Sequence, residues 1–286
     1  MTKSFIAKIE ETILMSTKPD YMVSQEKINE FLVKKSNSQE KEVKSIFNSI
    51  DFNGMQVFTF GDEKSKNTIL FMHGGAYVNE INYQHFLYCL LMAKRLNAYV
   101  LAPVYPLAPN HSAEEAYDKI TELYEYLLKN DTNITLMGDS AGGGFVLSFA
   151  QYLKTINLAQ PSHIIAFSPW VDISMSNTPY DDKDDPILGE IGLREIGRSW
   201  AGDLGTKDYK VSPIFGDVSN QAPTLIFAGE NEIFYKDIEK YVEKLKNSNV
   251  NVKFIIGDGL FHIYPLFPIP EATNAFKEIK KEFNKL

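Results

Sequence analysis

The run Gly138-Asp139-Ser140-Ala141-Gly142 follows an apolar segment and opens an amphipathic one. Glycines two before and two after a serine permit a very tight strand-to-helix turn, because a side chain at either position would collide with neighbouring backbone. Such a turn presents the serine hydroxyl at a helix N-terminus. Backbone N–H groups and the helix dipole there favour developing negative charge. The implied chemistry is attack on a carbonyl carbon by Ser140. The competing reading, a glycine-rich turn that only packs helix against strand, is weakened by the strand–turn–helix setting.

Acyl transfer builds an oxyanion, and an oxyanion needs preorganised donors. His73-Gly74-Gly75-Ala76 stands directly after an apolar run, one strand–helix unit ahead of Ser140. The N–H groups of Gly74 and Gly75 are candidate donors, with a third from Ala141. His73 itself is read as structural. A base is also required, and the chain has five histidines. His85 falls in or beside a helix, His111 before one, and His163 before a strand, so each is read as a surface or packing residue. His262 lies in a loop after the last strand, on the edge where Ser140 must sit. The order serine, acid, histidine is that of the α/β-hydrolase arrangement. The orienting acid should follow the strand at 224–228, where Glu230, Glu232 and Asp237 are available. Any of the three could fix the histidine tautomer and stabilise its cation.

These side chains need a frame. Short apolar strands are expected at 68–72, 98–102, 134–137, 164–167, 224–228 and 252–256. Amphipathic helices are expected at 84–96, 113–129, 143–155, 237–246 and 271–283. Near-continuous apolar strands separated by helices imply one α/β domain, with a mostly parallel sheet covered on both faces. Ahead of it, residues 45–50 and 55–60 flank Asn53-Gly54 and predict an antiparallel hairpin at one sheet edge. Residues 1–40 read as one or two amphipathic helices. Residues 173–211, with the acidic run 181–185 and a helical stretch near 193–200, are too long for a simple loop. They read as an insertion capping the carboxyl ends of the strands, with 1–40 as the other half of the cap.

The motifs together resemble the hormone-sensitive-lipase-like bacterial esterases of the α/β-hydrolase superfamily. The residues that carry the likeness are His73-Gly74-Gly75-Ala76-Tyr77, Tyr105-Pro106-Leu107-Ala108-Pro109, Gly138-Asp139-Ser140-Ala141-Gly142-Gly143, Ser168-Pro169-Trp170-Val171-Asp172, Ser212-Pro213 and Gly229-Glu230-Asn231-Glu232. The resemblance implies Ser140 as nucleophile, His262 as base, and Gly74, Gly75 and Ala141 as oxyanion donors. It places the acid at Glu232, three residues after the glycine that ends the strand. The pattern departs in three places. The acid is Glu-Ile-Phe rather than Asp-Pro-Leu, the third loop glycine is Ala76, and Pro106 and Asn110 replace a usual Arg and Glu.

Composition narrows the alternatives. The 286 residues are 44% hydrophobic, enough for a large core. A net charge of −8 without a dense basic run disfavours nucleic acid as partner. The single cysteine, Cys89, allows no internal disulfide and is read as core packing. Charges interrupt the apolar runs of the N-terminus, and no segment is long enough to span a bilayer. The expected location is cytoplasmic and the expected substrate a small carboxylic ester. No cofactor is expected, and no two histidines show metal-ligand spacing on one element. An amidase, formamidase or deacetylase on the same triad, or a non-catalytic ligand-binding homologue, is the competing class.

Overall fold

The computed structural model describes residues 3–38, 41–130, 133–177 and 185–284. Most of the acidic run, 181–184, lies outside the described residues. Eight strands form one sheet: β1 Ser49–Phe52, β2 Met55–Phe60, β3 Asn67–Met72, β4 Tyr99–Pro103, β5 Asn133–Asp139, β6 His163–Phe167, β7 Thr224–Gly229 and β8 Val252–Gly257. The spatial order is β1-β2-β4-β3-β5-β6-β7-β8. The β1–β2 and β2–β4 pairings are antiparallel and the others parallel. The expected hairpin therefore stands at one edge of an otherwise parallel sheet.

β1 begins later than its sequence suggests. Asn53 and Gly54 both have positive φ, and the two-residue turn pairs Phe52 with Met55. Pairing then runs only as far as Ser49 opposite Phe58. Ile46, inside the expected strand, is 87% exposed and has no sheet to pack on.

The central strands bury alternate residues on opposite faces, as a pleated strand must. In β3, Leu70 and Met72 enter one core and Ile69 and Phe71 the other. Helices α4 (Ala113–Leu128), α5 (Ser140–Thr155) and α7 (Tyr235–Asn247) contribute to the first core. Helices α3 (Tyr83–Leu96) and α8 (Pro270–Phe283) contribute to the second, where Cys89 is fully buried. Helix α5 is apolar nearly all round because it runs across β5 and β6.

Three further helices lie outside this frame: α1 Phe5–Ser16 and α2 Gln25–Ser36 from the N-terminal segment, and α6 Glu190–Ala201 from the stretch between β6 and β7. Ser4 caps α1 and ties it to α8 through Glu271 Oε1 at 2.7 Å. Helix α6 packs on α2 and on the turn before it. A Cβ on Gly192 would lie 2.7 Å from Tyr21 O and from Met22 Cα, so this approach is as close as backbone allows. Trp200 of α6 stacks on Tyr77 at 4.2 Å and 3°, which docks α6 on the loop after β3.

Candidate active site

Ser140 sits where β5 turns directly into α5, with φ +53°. A non-glycine residue in that region costs about 1–3 kcal/mol, and the surrounding packing imposes it. The helix can start so close to the sheet only because a Cβ on Gly142 is absent; it would fall 2.0 Å from Met72 O. Gly142→Ala is therefore expected to lower stability by about 1–3 kcal/mol and to reduce activity by displacing Ser140. Melting temperature and turnover measured on one preparation check this.

His262 reaches Ser140 across 122 residues of sequence, with Nε2 at 2.8 Å from Oγ. Its loop is braced against the loop after β7. Asn231 N donates to Leu260 O at 2.9 Å, and Gly259 N to the Glu230 carboxylate at 2.9 Å. Glu230 thus holds the histidine loop from outside. Glu232 lies beneath His262, its Oε2 3.8 Å from Nδ1. That is longer than a hydrogen bond, and such contacts commonly tighten only when substrate binds. Oε2 also accepts Gly229 N at 2.9 Å and Ser168 Oγ at 2.6 Å. Asp237 is buried at the third residue of α7, in its first turn, while the N-cap position belongs to Phe234. Of the three candidate carboxylates, only Glu232 has an ion-pair contact with His262 among the described residues.

Burial alone would push the His262 imidazole down. The adjacent Glu232 carboxylate, with Asp185 and Asp139 farther off, outweighs burial and holds its pKa above the ordinary histidine value. The Phe234 and His262 rings meet in a T-shaped contact at 5.3 Å and 77°.

The loop after β3 differs from expectation at Gly74. Its N–H is already engaged, donating to Asp139 Oδ1 at 2.9 Å. A donor bonded to a buried carboxylate is not available to an oxyanion. Among the described residues the N–H groups of Gly75 and Ala76 meet no acceptor. Ala141 lies in the first turn of α5, where no preceding helical carbonyl exists. Gly75 has φ +114° and Ala76 φ +54°, so the loop turns sharply at these two residues. Its shape is held from behind. Tyr77 OH donates to Ala141 O at 2.6 Å, Ala108 N to Tyr77 O at 2.9 Å, and Tyr105 OH to His73 O at 2.7 Å.

His85 and Asp139 have roles that their sequence positions did not reveal. His85 Nδ1 accepts Asn82 N at 3.1 Å, which leaves its proton on Nε2, 3.4 Å from Asp139 Oδ2. Burial opposes a charge on Asp139, but His85 and the Gly74 N–H outweigh it and hold its pKa below the usual carboxylate value. His73 is pushed down to about 3, chiefly by burial and then by His85, so it stays neutral. The available signal was the position of Asp139 next to Ser140. His111 pairs with Glu115 at 2.7 Å on the surface, and His163 starts β6.

Ser140 and His262 open into a cavity of about 440 Å³. Gly75 and Ala76 line it, together with Met22 from the N-terminal segment and Ile187 and Leu188 from the stretch between β6 and β7. A larger open groove of about 860 Å³, around Tyr105, Pro106 and His111, contains neither Ser140 nor His262. Among the described residues no helix is long and apolar enough to cross a membrane.

A serine on a strand–helix turn, a histidine after the last strand and an acid after the one before define the α/β-hydrolase class of site. The chain belongs to the alpha/beta hydrolase fold family, which matches residues 69–266. It is 31% identical over 219 residues to an esterase of Acinetobacter venetianus, covering 74% of this chain and 72% of that one. It is 24% identical over 217 residues to an acetyl-hydrolase of Streptomyces hygroscopicus, covering 73% of each. Among solved structures, a putative esterase from Staphylococcus aureus superposes with a TM-score of 0.83 at 25% identity, over 90% of this chain and 92% of that one. A hormone-sensitive lipase from a metagenome library shares the fold, with a TM-score of 0.82 at 23% identity over 98% of both chains.

Proposed function

We propose that the protein is a serine esterase that hydrolyses small carboxylic esters through Ser140, His262 and Glu232. The observation that carries this reading is the 2.8 Å contact between His262 Nε2 and Ser140 Oγ at the foot of the cavity. Ser140 Oγ attacks the ester carbonyl carbon while its proton passes to His262 Nε2. The carbonyl C–O π bond opens, and the oxyanion is held by the N–H groups of Gly75, Ala76 and Ala141. Gly74 instead fixes the loop through Asp139. The tetrahedral intermediate expels the alcohol, which takes the proton from His262. Water then attacks the acyl-enzyme, with His262 again as base, and releases the acid. Glu232 stabilises the imidazolium at both stages.

The N-terminal helices and the stretch around α6 act as a cap in this reading, since Met22 from one and Leu188 from the other both face the cavity. A cytoplasmic setting is part of the proposal and rests on the single buried cysteine.

Short acyl chains are expected to be preferred, because a cavity of about 440 Å³ lies near the small end for ligand sites. One feature favours a second reading. Helix α1, whose Leu14 lines the cavity, exposes Phe5 (76%), Ile6, Ile9 and Ile13, an apolar face that could meet a lipid surface. Hydrolysis of nitrophenyl esters from acetyl to palmitoyl, with an emulsified triglyceride and an acetanilide alongside, tests both. A maximum at acetyl to butyryl supports the small-ester reading. A maximum at long chains with activation at the oil–water interface would replace it with a lipase. Faster anilide than ester cleavage would make the enzyme an amidase.

A further inference from the structure

Ser168 follows the last residue of β6 and is fully buried, with φ +47°. Its hydroxyl makes two contacts that join separate parts of the site. Oγ donates to Glu232 Oε2 at 2.6 Å, and it accepts the N–H of Ile263, the residue after His262, at 2.8 Å. Its own N–H donates to Phe227 O at 2.7 Å, which locks the residue to β7. One side chain just beyond a third strand thus fixes both the acid and the loop that carries the base. The two donors on Glu232 Oε2, Ser168 Oγ and Gly229 N, compensate a carboxylate buried without a cation in hydrogen-bond contact.

We infer that Ser168 is a positioning residue of the catalytic machinery, whose hydroxyl sets the register between Glu232 and His262 without touching substrate. The inference rests on the triad reading above. The hydroxyl holds the carboxylate aimed at the imidazole. Without it, one donor to the carboxylate is lost and the half-buried Ile263 N–H loses its acceptor. The charges of Asp185 and Asp139 also act on His262.

The backbone conformation provides the control. Ser168→Ala removes the hydroxyl and retains the strain of φ +47°, whereas Ser168→Gly removes the hydroxyl and relieves the strain. Both variants are expected to lose about 10- to 100-fold in kcat with KM within about twofold. The fluorophosphonate labelling rate should fall in parallel. Equal losses in the two variants despite different melting temperatures support positioning. A folded Ser168→Gly or Ser168→Ala enzyme with kcat within twofold of wild type, or a loss that simply follows melting temperature, overturns it. Ser140→Ala measured in the same series separates the two ideas. If Ser140→Ala is inactive while the Ser168 variants are unimpaired, only the Ser168 inference falls. If Ser140→Ala turns over normally, the triad reading fails.

Discussion

Ser140→Ala is expected to abolish ester turnover, by roughly 10⁴- to 10⁶-fold, and to remove fluorophosphonate labelling completely. The variant loses the hydroxyl oxygen 2.8 Å from His262 Nε2, the one among the described residues placed to attack a carbonyl while its proton moves to that nitrogen. Alanine at φ +53° meets the same backbone restriction as serine and is smaller, so melting temperature should change little. Any residual rate above that of water would come from substrate held against the N–H groups of Gly75, Ala76 and Ala141, a contribution that survives loss of the nucleophile. Turnover of nitrophenyl acetate, labelling on a gel and a melting curve decide it together. Near-wild-type turnover in a folded Ser140→Ala protein would defeat the hydrolase mechanism.

Glu232→Gln should be the next most damaging change, lowering kcat by about 10²- to 10⁴-fold. Glutamine carries no charge to stabilise the imidazolium. Its amide oxygen can take the place of Oε2 and still accept Gly229 N and Ser168 Oγ, so the charge is what the variant loses. The pH profile has a definite sign. The base must be neutral to take the Ser140 proton, and Glu232 raises the pKa of His262 against burial. Wild-type kcat/KM should therefore fall off on the acid side at a pH above the ordinary histidine value. In Glu232→Gln that limb should move down, because burial is left with less opposition. Two companion variants test the assignment. Asp237→Asn removes a charge from the first turn of α7, where the helix dipole is worth about 0.3–1 kcal/mol, and should leave turnover near wild type. Glu230→Gln keeps an oxygen for Gly259 N and should cost at most a few-fold. If either companion kills activity while Glu232→Gln does not, the acid has been misassigned.

The parts of the site legible in sequence are those enforced by local geometry. Ser140 was readable because a turn that drives β5 straight into α5 tolerates no side chain at Gly142, and that requirement is written within a few residues. The strand–helix alternation was readable because each central strand buries both faces and the helices other than α5 bury one stripe. Hairpin pairing was legible at Asn53-Gly54, where the turn is local. It was not legible at Ile46, where the end of a strand depends on a partner elsewhere.

By itself the sequence determined the fold class, and it singled out Ser140 as the candidate nucleophile and a short list of carboxylates for the acid, since these follow from periodicity, turn chemistry and chain order. Only the tertiary structure decided which group meets which. Glu230, Glu232 and Asp237 are chemically alike and close in sequence, yet one braces Gly259, one lies under His262 and one sits buried in a helical turn. Gly74 and Gly75 are adjacent glycines, yet the N–H of the first is held by Asp139, 65 residues away. Ser168 reads as an ordinary serine until β6, the loop after β7 and the loop after β8 are brought together around it. Hydrogen bonds are set within a few tenths of an ångström and by the direction of a side chain. Sequence spacing carries no such information between elements that only packing makes neighbours.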